Sequence, residues 1–226
     1  AVGPSSTDPL LWSKHVATPD GWTFVIPNTT DTISYGYCYN KDITSLETAK
    51  TNFSELFGKE FPNEMKTNNL PFESYIANEP VRIDSNGRKI ILNGNRLAFF
   101  EPMESTAISL YLNVGAYTFD WVIGKNNHLS QNAILEEISS NIHRQFHEIQ
   151  TFILWHYIKG SIYDTPFWRS AQAKITEIFE QPNEKFHEIV NFAKSADYID
   201  LKSDKRIGYG LWDAVSIKRW YDGYIK

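Results

Sequence analysis

The residues of this sequence best equipped for chemistry lie between Gly94 and Thr106, in the run Gly-Asn-Arg-Leu-Ala-Phe-Phe-Glu-Pro-Met-Glu-Ser-Thr. Glu101 and Glu104 stand either side of a proline, and Ser105 and Thr106 occupy the place where an apolar helical stretch begins. The opening turn of a helix leaves backbone N–H groups without partners, which favours a bound anion. A carboxylate held beside it can accept a proton or stabilise a cation. The same residues also fit a plainer role, in which Ser105 caps the helix and the carboxylates favour its positive end. Spacing leaves both readings open.

Other constellations are weaker. His143 and His147 are four apart on one helix face, as zinc ligands can be. However, Arg144 follows the first histidine where a zincin helix has glutamate, and paired solvated histidines meet the same pattern. We assign no metal site. The sequence contains neither a Gly-x-Ser-x-Gly nucleophile elbow nor a phosphate-binding glycine-rich loop. Its single cysteine, Cys38, excludes an internal disulfide and a cysteine-cluster metal site, and makes the reducing cytoplasm the default compartment.

The elements that must position these residues are carried by 226 residues, 42% hydrophobic and 22% charged, the make-up of a globular protein rather than a disordered or collagenous one. Seven Trp, 12 Tyr and 14 Phe supply flat apolar side chains for a core and a pocket. A net charge of −5 argues against a nucleic-acid partner, which calls for clustered Lys and Arg. No segment reads as a signal peptide. The longest apolar stretch, Ala107–Ile123, carries Ser109, Asn113 and Asp120, so we read it as a buried helix and expect no membrane contact. The start at Ala1, with small polar residues after it, reads as a processed or truncated product.

Strands come first. Trp22–Ile26 ends at Pro27, which lacks a ladder donor, and Ile33–Tyr39 alternates, with Asn28–Thr32 as the hairpin loop between them. A helix follows, with Thr44 and Glu47 at capping-box spacing and Gly58 at its end. Asn86-Gly87 predicts a two-residue hairpin turn between Val81–Ile83 and Lys89–Leu92. After residue 104 the period turns helical: Thr106–Val122, Ser130–Ile158 with Ile134, Ile138, Ile142, Phe146, Ile149 and Ile153 on one face, helices opened by Thr165-Pro166 and Gln181-Pro182, and a last one over Leu211–Tyr224. The expected fold class is α+β, with an antiparallel or mixed sheet region over residues 1–104 and a mostly helical region over residues 105–226.

The run Glu101-Pro102-Met103-Glu104-Ser105-Thr106 resembles the Glu-Pro-Leu-Glu-Ser-Thr signature of flavin-dependent tryptophan halogenases. Gly94-Asn95 and Phe99-Phe100 stand where that family has a Gly-Asp or Gly-Asn element and a Phe before the signature. Upstream, Gly21-Trp22-Thr23-Phe24-Val25-Ile26-Pro27 resembles the family's Gly-Trp-x-Trp-x-Ile-Pro. Downstream, Phe152-Ile153-Leu154-Trp155-His156-Tyr157 and Asp164-Thr165-Pro166-Phe167-Trp168 resemble Phe-Ile-x-x-His-Tyr and Asp-Thr-Pro-Phe-Trp. The matches keep the family's order from Gly21 to about Trp168.

The resemblance implies a flavin monooxygenase-like halogenase fold and an activity. In that family reduced FAD, delivered by a flavin reductase, and dioxygen oxidise a bound halide to hypohalous acid. This reaches an active-site lysine beside a small aromatic substrate, such as an indole. Glu104 inherits the carboxylate that assists the substitution, with Ser105 beside it. The backbone of Thr106 and Ala107 inherits the halide, Gly94 and Asn95 lie near the flavin, and Trp22, Phe24, Ile26 and Pro27 form the motif near the active site. Phe24 replaces the motif's second Trp, Ala107 replaces a Gly next to the halide, and Met103 replaces Leu. The family's Gly-x-Gly-x-x-Gly unit and catalytic lysine lie upstream of the Trp motif, and no lysine of this sequence stands in that context. The resemblance therefore predicts the C-terminal part of a halogenase, which binds flavin poorly by itself and turns over nothing. The competing expectation is a truncated or split binding module that holds an aromatic ligand among Trp155, Tyr157, Phe167, Trp168, Trp212 and Trp220, docks on an N-terminal partner, or self-associates.

Overall fold

The structure, a computed structural model, describes residues 2–4, 13–28, 32–58, 68–122, 130–159, 161–179, 184–195, 208–209 and 211–224. The chain forms two compact units: Ala1–Leu70 with Trp155–Gln181, and Pro71–Leu154 with Pro182–Lys226. The α+β expectation holds, with small antiparallel sheets and helices in one chain.

The first unit carries a four-stranded antiparallel sheet. Its strands are β1 (Val2–Pro4), β2 (Lys14–Thr18), β3 (Gly21–Pro27) and β4 (Thr32–Cys38), in the order β1-β4-β3-β2. The predicted hairpin is β3 paired with β4, Trp22 opposite Cys38 and Pro27 opposite Ile33. Its alternation points Val25, Ile33 and Tyr35 into a core completed by Phe53 of α1 (Leu46–Phe57), with Tyr37 and Phe57 packed around it. The cap of α1 differs from the expected box. Ser45, not Thr44, accepts the N–H of Thr48, at 3.0 Å. Thr44 is buried and its hydroxyl donates to the Asp20 carbonyl at 3.3 Å, which removes it from the capping position.

Two glycines of this sheet are required by close approach. A Cβ on Gly21 would stand 2.1 Å from the Cys38 carbonyl oxygen, and one on Gly36 would stand 2.1 Å from the Phe24 ring. Gly36 lies directly opposite Phe24 across the ladder, so the aromatic ring covers the bare backbone. The unit also holds the end of α3 (Gln131–Lys159), from Trp155 on, and α4 (Pro166–Phe179). Pro166 opens α4 as expected, while the Thr165 hydroxyl donates to the Pro19 carbonyl.

The second unit is built on α2 (Thr106–Val122), most of α3, α5 (Glu184–Ser195) and α6 (Ala214–Tyr224). Three two-stranded ribbons accompany them: β5 (Tyr75–Ile76) with β8 (Ala98–Phe99), β6 (Val81–Ile83) with β7 (Lys89–Ile91), and β9 (Gly208–Tyr209) with β10 (Trp212–Asp213). Ile138, Ile142, Ile149 and Ile153 make the buried face of α3, in agreement with its period, while Ile134 and Phe146 of the expected face are half-buried. The start of the helix expected at Gln181-Pro182 lies outside the described residues.

Three expectations need correction. The β6–β7 hairpin pairs Ile83 with Lys89, so Asp84–Arg88 form a five-residue loop rather than a two-residue turn. The Asp84 carboxylate takes over the loop by accepting the N–H groups of Asn86 and Arg88, both at 2.9 Å, and Gly87 follows at φ +75°. The Arg88 N–H, foremost among these bonds, holds the Asp84 carboxyl below its ordinary pKa. The last helix starts later than expected, because Trp212-Asp213 form β10 and Asp213 accepts the Ser216 N–H at 2.7 Å in a cap.

The third correction concerns α2, expected to be buried. Leu110 and Val114 are buried, but Ile108, Leu112 and Phe119 on the other side are 67%, 68% and 62% exposed. Gly115 and Ala116 between them are exposed too. A composition that is apolar on all sides does not say how many sides are covered.

Candidate functional site

The Glu-Ser-Thr segment sits in the second unit, at the junction of a single 3-10 turn (Met103–Ser105) and α2. Proline at 102 and the bond from the Ser105 N–H to the Pro102 carbonyl, 3.3 Å, tighten the chain just before the helix. The turn ends in an unusual conformation. Ser105 has φ +53°, the only positive φ at a non-glycine among the described residues. For an L-residue this left-handed conformation costs about 1–2 kcal/mol. It makes an abrupt entry into α2, so that Thr106 starts the helix with its side chain turned inward. Ser105 itself is exposed and Met103 is buried. The plain capping role expected for Ser105 does not fit this geometry, because an N-cap residue is normally extended.

Thr106 is 4% exposed, and its hydroxyl is buried with no hydrogen-bond partner. A buried hydroxyl left unpaired costs about 1–3 kcal/mol. It stands in the opening turn of α2, where backbone N–H groups have no carbonyl four residues before them inside the helix. An unpaired O–H and the positive end of a helix dipole favour the same guest, a small anion. Ala107 follows, half-buried. The backbone of Glu104 lies in the 3-10 turn directly before Ser105. Its side chain lies outside the described residues.

Gly94 and Asn95 belong to the same unit, in a second 3-10 turn (Gly94–Arg96). Gly94 has φ +59°, and a Cβ built on it would meet nothing within 4 Å. The turn therefore needs glycine for its backbone conformation and presents open space beyond it. Asn95 is exposed. Two tyrosines hold it: Tyr75 donates to its backbone carbonyl, and the Tyr111 hydroxyl lies 3.0 Å from its Oδ1 and 2.7 Å from the Ala98 carbonyl. Asn93 ties the turn to α2 a second time, donating through Nδ2 to the Tyr111 carbonyl at 3.0 Å. Neither tyrosine was singled out by the sequence. Tyr111 stands sixteen residues from Asn95 on a different element, and no spacing rule connects the two.

The Trp22 motif belongs to the first unit. Trp22 is buried, and its indole N–H donates to the Tyr157 hydroxyl at 3.0 Å. The Trp168 indole N–H donates to the Thr18 carbonyl at 2.8 Å, and the Tyr157 and Trp168 rings stand 5.7 Å apart. Three of the motifs that carried the resemblance thus meet in one core: Gly21–Pro27, Phe152–Tyr157 through its last residue, and Asp164–Trp168. Phe24, Ile26 and Pro27 are half-buried along β3. A deeper network joins the Tyr37 hydroxyl to Thr18 at 2.8 Å and to Asn52 at 3.2 Å, with Asn52 also donating to Asp20 at 2.8 Å. Burial, first of its causes, pushes the Tyr37 pKa up.

The aromatic residues expected as a pocket lining divide between the units. Trp155, Tyr157, Phe167 and Trp168 are buried in the first, and Trp220 in the second, where Trp212 stacks on Phe152 at 3.9 Å. They behave as core. His143 and His147 are both exposed, and no group of three metal-binding side chains occurs among the described residues. No described helix is long and apolar enough to cross a membrane.

The family model described as "Tryptophan halogenase" matches residues 3–204. The chain belongs to the tryptophan halogenase family. Among curated relatives, tryptophan 6-halogenase ThaL of Streptomyces albogriseolus is 24% identical over 165 residues, covering 70% of this chain and 28% of that protein. Among solved structures, a tryptophan halogenase from Shewanella frigidimarina NCIMB 400 matches with TM-score 0.70 and 18% identity, over 99% of this chain and 41% of that one. Tryptophan 6-halogenase SttH of Streptomyces toxytricini matches with TM-score 0.66 and 19% identity, over 84% and 36%. The chain thus has a halogenase fold and spans less than half the length of each of these halogenases.

The halide reading makes a local prediction. Thr106→Val keeps the shape and deletes the unpaired hydroxyl. We expect the variant to be more stable than the parent by about 1 kcal/mol, because an unsatisfied buried group is removed. Its bromide affinity, followed by bromine NMR line broadening, should fall at least several-fold. Lower stability together with unchanged line broadening would remove Thr106 from the anion site.

Proposed function

We propose that this chain is the C-terminal part of a flavin-dependent halogenase acting on an indole or another electron-rich aromatic compound. The observation that carries the reading is the unpaired, buried Thr106 hydroxyl at the opening of α2, directly after the Glu-Ser-Thr triplet. Reduced FAD, supplied by a reductase, would together with dioxygen, the oxidant, provide the oxidising chemistry. Gly94 and Asn95 suit its border, because the turn there is open and Asn95 faces outward. Thr106 and Ala107 would hold the halide through the helix N-terminus. Glu104 would stabilise the positive charge that builds on the ring during substitution and take the departing ring proton. Ser105 holds the abrupt turn that places Glu104 before the helix. Trp22, Phe24, Ile26 and Pro27 would keep the role of the family's Trp motif within the first unit. In this reading residues 1–104 are the flavin-side region and residues 105–226 the substrate side, in a cytoplasmic protein.

The test is a flavin titration. Purified chain mixed with FAD should leave the visible spectrum of free flavin nearly unchanged, since the family's glycine-rich unit is not in this sequence. Adding that unit as a separate polypeptide should restore a bound-flavin spectrum. If the mixture still shows only free flavin, the reading fails. Halogenated indole formed by the chain alone, with reductase and halide, would instead show that the missing unit is dispensable.

The bare face of α2 supports a second reading, a module that docks on a partner. Ile108, Leu112 and Phe119 form an apolar stripe of the sort that marks contact surfaces. Light scattering of the isolated chain separates the two readings, since a clean monomer at high concentration counts against docking through this face.

A further inference from the structure

Hydrogen bonds link the Gly94–Arg96 turn and its flanks to α2 through one helix residue, Tyr111, which lies in neither motif. Tyr111 sits five residues into α2 beyond Thr106. Its hydroxyl reaches Asn95 Oδ1 at 3.0 Å and the Ala98 carbonyl at 2.7 Å, while its own backbone carbonyl accepts the Asn93 side chain at 3.0 Å. The chain thus meets Tyr111 immediately before the turn, within it and just after it. We propose that Tyr111 is the positioning residue that fixes the Asn95 amide relative to the Thr106 hydroxyl, so that flavin border and anion site keep one spacing.

The turn itself is weak. A single 3-10 turn closed by the Leu97 N–H on the Gly94 carbonyl, 2.9 Å, with glycine at φ +59° at its head, has little rigidity of its own. Asn95 is exposed, and so gains no position from packing. α2, by contrast, is seventeen residues long and anchored by Leu110 and Val114. A bond from α2 transfers that rigidity to the turn. Tyr111 makes this bond at its far, partly buried end, where the hydroxyl's one proton serves two carbonyl oxygens. Burial, with the Tyr75 hydroxyl adding to it, pushes the Tyr111 pKa up. With its Oδ1 engaged by Tyr111, the exposed Asn95 side chain keeps its amide N–H groups as donors for an acceptor on a ligand.

The inference rests on the halogenase reading for its ligand, but the test separates the two. In Tyr111→Phe, amide hydrogen exchange at Leu97 should speed up at least tenfold. Exchange at Asp84, whose N–H is bonded to the Arg88 carbonyl at 2.9 Å in a separate hairpin, should stay as in the parent. FAD affinity, measured by flavin fluorescence in the presence of the family's flavin-binding unit, should weaken at least five-fold in Tyr111→Phe. It should weaken alike in Asn95→Ala, and no further in the double variant. Unchanged exchange at Leu97, equal acceleration at Leu97 and Asp84, or effects that add in the double variant would each overturn the positioning role. If the parent binds no FAD under these conditions, the flavin reading fails, and the exchange rates alone still decide whether Tyr111 fixes the turn.

Discussion

Replacing Trp22 with alanine should destabilise the first unit by about 3–5 kcal/mol, the range for a buried Trp or Phe truncated to alanine. The large effect has two sources. The indole is buried beside His15 and Phe24, at ring separations of 5.6 and 6.1 Å, so its removal leaves a cavity that a pleated sheet cannot collapse. The indole N–H also donates to Tyr157 from a strand 135 residues earlier, which ties β3 to the end of α3. Trp22→Phe separates the two sources, since it keeps most of the volume and loses only the donor. It should cost about 1–2 kcal/mol. Urea unfolding followed by far-UV circular dichroism measures both. A change under 1 kcal/mol for Trp22→Ala would mean that this core is not continuous in solution.

The second large effect is catalytic. In a protein that also carries the family's flavin-binding unit and lysine, Glu104→Gln should lower the halogenation rate about 10²–10⁴-fold, the span typical of a positioned acid–base group. Glutamine keeps the size and much of the hydrogen bonding of glutamate, so stability and the substrate KM should change little. A fall in kcat with constant KM is the signature of a group that acts in the transition state. Retained kcat would remove Glu104 from the role proposed for it.

How far the sequence disclosed this arrangement depends on how local each cause is. The β3–β4 hairpin was legible because alternation is a property of neighbours: Val25, Ile33 and Tyr35 each point inward as their positions require. Strand β2 was missed although a signal was present. Thr18-Pro19-Asp20-Gly21 is a turn tetrad, and the structure pairs Thr18 with Gly21 across it. The cap of α1 slipped by one residue because Thr44 was drawn into a bond with Asp20, a partner 24 positions away. The same limit governs the site. Thr106 could be placed at a helix start from the sequence, but its unpaired hydroxyl and the positive φ of Ser105 depend on packing. Tyr111 gave no sign at all, because its meaning lies in a contact with another element.

Phe24 and Gly36 carry a lesson for engineering and for descent. Since the Phe24 ring occupies the space that any side chain at position 36 would fill, position 36 can gain a side chain only if position 24 changes with it. Restoring tryptophan at position 24, as the family motif has it, is open to a single substitution only while position 36 stays bare. A lineage that acquired even an alanine there would first have to give up its aromatic ring. Libraries built on this strand should therefore vary the two codons jointly, and relatives with a side chain at position 36 should be found with a small residue at position 24.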